Sequence, residues 1–182
     1  MSTQTRTLDN GDSRLQPVQN NPPFGMQDVL LLVGQLNYTW TNTESLLIYL
    51  IAGLARVDKE TAIVIFLTLN TTRARIDLVE RLAKMPKTSA RCRGEVLDLM
   101  KRLSRESALR NKFNHCIYSF DPESGRGATQ LMRIFDDKSE IKYGKVERLD
   151  GREIERIRNS IASITAINKQ IWELARRYEF PV

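Results

Sequence analysis

The chain has 182 residues, of which 41% are hydrophobic and 27% charged, with a formal net charge of +6 and a single histidine. A chain of that length can bury a core of its own as one domain. Its two cysteines, Cys92 and Cys116, lie far apart without CxxC spacing, which excludes a disulfide framework or a zinc site and fits a reducing cytoplasm.

The basic excess admits a polyanion as partner, although the arginines are spread along the chain rather than massed. The apolar runs at residues 29–36, 46–54 and 62–69 fall far below spanning length, so neither membrane insertion nor secretion is expected. Residues 1–25 are rich in Thr, Asn, Gln, Ser and Pro and nearly devoid of large apolar side chains. Such a composition cannot offset its own ordering entropy, and a disordered N-terminal arm is expected there.

From Met26 onward the apolar residues Val29, Val33, Leu36, Trp40, Leu47, Leu50 and Leu54 recur in threes and fours. The spacing predicts one long helix over 26–57, or two in phase with a break near Thr41, where Thr41 and Glu44 have the spacing of a capping box. Asp58 is placed to cap a second helix, carried to about Lys84 by Ala62, Ile65, Leu69, Ile76, Val79 and Ala83. With almost no loop between them the two form an antiparallel hairpin. Folding the chain back at Val57 and Asp58 sets Glu44 level with residues 71–73, so Glu44 is expected to pair with Arg73, or with Arg75 if the register is off by a turn. Such a pair either fixes the hairpin register or supports an active arginine from behind. The run at 62–69 is apolar around its whole circumference, which demands burial on all sides or an oligomer interface.

Pro86 ends the second helix, Thr88 or Ser89 can cap a third, and Cys92, Val96, Leu99, Leu103 and Arg110 share a stripe of it. After His115 the apolar period changes to two, through residues 117–121, 128–135 and 140–146, with turn residues at 121–127 and 136–139. Three short strands are expected, a small antiparallel meander inserted over about 117–148. Asp150 and Glu153 have capping spacing ahead of a last helix striped by Ile154, Ile157, Ile161, Ile164, Asn168, Ile171, Ala175 and Tyr178. The lone polar member, Asn168, suits register-setting or contact with a partner helix. The expected fold is mainly α: one domain over 26–182, an antiparallel helical bundle with a three-stranded β insertion before the last helix.

The only histidine, His115, follows Arg110 and Asn111 where the helical pattern gives way to the strand-like one. An arginine, a polar residue and a histidine at this spacing resemble the motif of the HEPN superfamily, whose ribonuclease members set Arg and His at a dimer cleft. The resemblance implies a metal-independent endoribonuclease of toxin or defence type, a homodimer without cofactor, acting on RNA and in some cases held by an antitoxin. His115 would take the proton from a ribose 2′-hydroxyl and Arg110 would steady the charge on the phosphorus oxygens. Asn111 would hydrogen-bond the phosphate or hold the histidine tautomer, with Glu44 and Arg73 behind. The dimer interface is expected on the last or the third helix. On an uninterrupted helix Arg110 and His115 diverge by roughly 140°, so a joint site requires the helix to end between them or two subunits to contribute. The alternative is a HEPN-like module without catalysis that binds RNA or a protein, with Arg110 paired to Glu106 or to helix-end carbonyls.

Overall fold

The computed structural model describes residues 25–182 except 122, 125, 137 and 138, and only the backbone of 135 and 136. The arm expected over 1–25 therefore lies, but for Gly25, outside the described residues. What is described is mainly helical, with a small antiparallel sheet before the last helix.

The first stretch forms two helices, α1 (Met26–Glu44) and α2 (Leu47–Ala55). The break falls at Ser45 and Leu46, not near Thr41, because the Glu44 carboxylate does not turn back to cap anything. It accepts from Trp40 Nε1 at 3.1 Å, four residues earlier. Bonds from Leu46 N to Thr43 O and from Ile48 N to Ser45 O tighten the joint into a three-residue turn. Helix α2 ends on Arg56 in the left-handed region (φ 61°). Asp58 then caps α3 (Lys59–Thr68), accepting from Thr61 N at 2.7 Å.

The helix expected to continue to Lys84 is interrupted at residues 69–71 and resumes as α4 (Thr72–Ala83). Thr71 caps α4 by accepting from Ala74 N at 3.1 Å. Arg75 makes the interruption tolerable: its Nε donates to Phe66 O at 3.2 Å and to Leu69 O at 3.0 Å, satisfying carbonyls at the end of α3.

Ser89 caps α5 (Ala90–Asn114), which buries Cys92, Val96, Leu99, Met100, Leu103 and Phe113. Asp150 caps α6 (Gly151–Arg177), accepting from the N–H groups of Arg152 and Glu153. Helices α5 and α6 run antiparallel, tied by Ser160 Oγ to Glu106 (2.5 Å), Arg102 to Gln170 (2.6 Å) and Arg177 to Glu95 (2.9 Å). Helix α1 packs most extensively on α6 and runs parallel to it. Asn168 meets a helix of its own chain, donating to Thr43 Oγ1 at 3.2 Å. Trp40, Leu36, Leu47, Leu50, Val79, Val96, Met100, Leu103, Ile164, Ile167 and Ile171 fill the core between these helices.

Five strands stand where three were expected: β1 (Cys116–Phe120), β2 (Gly127–Leu131), β3 (Ile134–Asp136), β4 (Ile141–Tyr143) and β5 (Val146–Leu149). The sheet order is β1-β2-β5, and β3 and β4 form a separate ribbon. Gln130 pairs with Val146 and Ile134 with Tyr143, so residues 131–133 face only residues 144–145. One extra residue on the first side makes a bulge that splits both of the longer expected strands. Gly144 is required there, since a Cβ on it would lie 2.0 Å from the carbonyl oxygen of Leu131.

Candidate functional site at the end of α5

Helix α5 runs unbroken through Arg110 to Asn114, and His115 is its C-cap, with its N–H bonded to Asn111 O at 3.1 Å. The helix therefore does not end between the two motif residues, and they leave it on different sides.

Arg110 turns toward α1. Its guanidinium carbon sits 5.8 Å above the Trp40 ring, and Nη1 donates to Asn111 Oδ1 at 3.1 Å. With the Asn114 amide oriented to satisfy its neighbours, its oxygen accepts from Arg110 Nε and Nη2 at 3.0 Å and its nitrogen donates to Asn37 Oδ1 at 2.6 Å. Arg110 is thus half-buried in an asparagine-lined niche between α1 and α5. The alternative partner Glu106 is engaged elsewhere, by Ser160.

His115 points to the sheet side and its side chain is exposed. It borders a depression of about 360 Å³ lined by Ala108, Asn111, Lys112, Leu131, Met132 and Arg133. The bulge holds one wall in place, because Met132 N donates to the His115 carbonyl at 2.8 Å. Asn111 is the one motif residue common to both surroundings: it accepts from Arg110 and also lines the His115 depression.

Glu44 pairs with Arg75, not Arg73. Its carboxylate is buried, with Arg75 Nη1 at 3.1 Å, Thr72 Oγ1 at 2.6 Å and Trp40 Nε1 at 3.1 Å. The interruption at 69–71 rotates α4 relative to one continuous helix, so Arg73 faces solvent and pairs with Asp77 at 2.9 Å. Glu44 does not touch Arg110. It holds the Trp40 indole on which Arg110 rests.

Two carboxylates that the sequence did not point to meet Lys112, one turn from the motif. Its Nζ reaches Glu153 at 2.7 Å and also contacts Glu147, tying α5 to β5 and α6. Burial works against the Lys112 charge, but the hydrogen bonds to Glu147 and Glu153 outweigh it and leave its pKa above the usual value. Burial opposes the Glu153 charge as well, and the bonds from Lys112 and Arg156 still hold its carboxyl below the usual range. No spacing rule links residue 112 to residues 147 and 153; only the sheet brings them together.

Outward from that tether lies a notch of about 520 Å³ lined by Lys145, Val146, Glu147, Arg148, Asp150, Arg152, Glu153 and Arg156. Its three carboxylates are engaged: Glu147 by Lys112, Glu153 by Lys112 and by Arg156 at 2.5 Å, and Asp150 by capping α6 and by Arg152 at 3.4 Å. The side chains of Lys145 and Arg148 hold no hydrogen bond or ion pair among the described residues. Tyr143, two residues before Lys145, is 72% exposed.

Among the described residues, no group of three His, Cys, Asp or Glu side chains could hold a metal ion, and no helix is long and apolar enough to cross a membrane. No family model, curated protein or solved structure matches the chain. The HEPN resemblance rests on the motif residues and the helical frame alone.

Proposed function

We propose that this chain is a non-catalytic, HEPN-like RNA-binding module. The observation that carries the reading is the notch between β5 and α6. Lys112 and Arg156 engage Glu153, Lys112 also engages Glu147, and Arg152 engages Asp150, so the cations around the notch outnumber its carboxylates and Lys145 and Arg148 are left to face outward. Cations along a groove beside an exposed aromatic ring suit a single strand, whose phosphates they neutralise and whose bases stack on the ring. The non-catalytic part of the reading is supported by the motif: Arg110 is taken up by Asn111, Asn114 and Trp40, and His115 faces away from it.

Titration of a labelled single-stranded oligoribonucleotide at several salt concentrations tests this. Two phosphate contacts, at Lys145 and Arg148, give a log–log salt slope of about −1.4, which the combined Lys145→Ala and Arg148→Ala changes largely remove. Absence of binding at low salt, or a slope untouched by both changes, would overturn the reading.

A second reading is favoured by one observation, the position of Asn111 between Arg110 and the His115 depression. In an assembly that brought Arg110 of one copy to His115 of another, the endoribonuclease implied by the motif becomes chemically workable. It requires cutting of single-stranded RNA in the presence of a chelator. Loss of that cutting in His115→Ala would be about 10²-fold or more, since a general acid or base step is typically worth that much. RNA left intact by the pure protein, with and without divalent metal, removes it.

A further inference from the structure

We propose that a cavity at the opposite end of α5 from the motif binds a small organic anion, its oxyanion held by Arg56, Lys87 and Ser89 and its apolar body received among Leu54, Val57 and Phe180. The cavity measures about 640 Å³ and is walled by the end of α2, the start of α5 and residues 178–181 after α6. That volume lies within the ordinary range of small-molecule sites, about 300–1,000 Å³. Helix α5 has 25 residues, which sets the cavity roughly 35 Å from the motif. The inference is independent of RNA binding.

Two helices end at this cavity, and each closes on a residue in the left-handed region. Arg56 after α2 has φ 61° and Glu179 after α6 has φ 53°, and among the described residues they are the only ones other than glycine with positive φ. In both cases the next amide bonds back to the helix, Val57 N to Ala52 O at 3.0 Å and Phe180 N to Ala175 O at 2.8 Å. Glycine makes such a turn without strain and is the usual residue there. The Arg56 side chain is therefore carried against a conformational preference, and the turn does not need it. Its guanidinium holds no hydrogen bond, ion pair or ring contact among the described residues.

The unengaged groups of the wall select an anion. Lys87 Nζ donates to Ala55 O at 3.1 Å and has two protons left; Ser89 Oγ accepts from Cys92 N at 3.2 Å and keeps its own proton to donate. Tyr178 lines the same wall, and its hydroxyl is the one side-chain N or O atom among the described residues that is sealed from water without a hydrogen-bond partner. Leaving such a group unpaired is unfavourable, and an acceptor oxygen satisfies it. Asp58 is taken up by capping α3, so only Glu179 opposes Arg56 and Lys87, and free donors outnumber free acceptors. Reaching the Tyr178 hydroxyl shifts the chain end, which Phe180 seats on the bare backbone of Gly53.

Amide chemical shifts of the full chain, titrated to about 10 mM with phenyl phosphate, benzoate, inorganic phosphate and benzyl alcohol, test it. The expected result is saturable binding of phenyl phosphate or benzoate, with shifts confined to residues 52–58, 87–92 and 178–182; which of the two binds more tightly names the oxyanion. Arg56→Gly weakens that binding about 10-fold or more yet leaves the chain at least as resistant to denaturant, because glycine relieves the turn. Tyr178→Phe weakens it about 3–10-fold, again without loss of stability, since the hydroxyl has no partner to lose. Residues serving the fold alone would show the reverse, with stability lost and affinity kept. The proposal is overturned if neither organic anion saturates, if inorganic phosphate or benzyl alcohol binds as tightly as they do, or if Arg56→Gly leaves the affinity unmoved.

Discussion

The helical frame and the β insertion are stabilised in opposite ways. Between α1, α2, α4, α5 and α6 the side chains interdigitate until most of the core is inaccessible to water, and the few polar groups there are partnered. Among the described side chains from Cys116 to Leu149 only Thr129 and Gly144 are buried, whereas Ile117, Met132, Ile134, Ile141, Tyr143 and Val146 are all at least half exposed. The sheet is held by its ladders and by a few anchors: the Lys112 tether, and Tyr118, whose hydroxyl donates to Phe113 O at 2.6 Å. Small sheets of this kind lack a core of their own. The lesson is that the position of the less independent region is set by the more stable one.

That comparison breaks most readily at Glu44. Glu44→Ala strands Arg75, Thr72 and the Trp40 indole together and should cost about 3–5 kcal/mol of global stability, read from denaturant unfolding. A loss under 1 kcal/mol would show that the frame does not depend on this contact. Gly53→Ala comes next: its Cβ would lie 2.0 Å from Cγ of Phe180, so the C-terminal tail must lift, at about 1–3 kcal/mol, visible as hydrogen exchange in residues 178–182.

Acid should sharpen the contrast. Glu153 has a lowered folded pKa, so its contribution is fully present above its usual value of 4.5 and fades as pH falls through the folded value. Lys112 has a raised folded pKa, and its contribution is kept below 10.5 and lost only above that. Hydrogen exchange should therefore accelerate in β2 and β5 before the helices respond as pH falls below 4.5; simultaneous loss in both regions would mean that they unfold as one. The smallest effect is that of Arg73→Ala, below about 0.5 kcal/mol, since its ion pair with Asp77 is exposed.

Much of the helical frame was legible because its signals are local. Periodicity placed the buried faces of α1, α2, α5 and α6, and side-chain chemistry placed the caps at Asp58 and Asp150 and narrowed that of α5 to Thr88 or Ser89, of which Ser89 serves. The interruption at 69–71 left only a faint trace, the seven-residue gap between Leu69 and Ile76. It was enough to exchange Arg73 for Arg75 opposite Glu44. The bulge left a trace no stronger, the adjacent apolar pair Leu131 and Met132, and only the partner strand reveals the extra residue. At the motif, the divergence of Arg110 and His115 followed from helical rotation. The asparagines around the guanidinium and the two carboxylates on Lys112 did not, for they come from elements far apart in the chain.

The hydrogen bond between Thr43 and Asn168 spans 125 residues, and it belongs to the most extensive helix pair in the molecule. A ribosome delivers α1 long before α6. Until α6 emerges, Val29, Leu36 and their neighbours have no permanent cover, while α2 to α5 can already fold on one another through nearer contacts. The nascent chain therefore spends most of its synthesis with the apolar flank of α1 open, and that interval is when it is most exposed to chaperones and to aggregation.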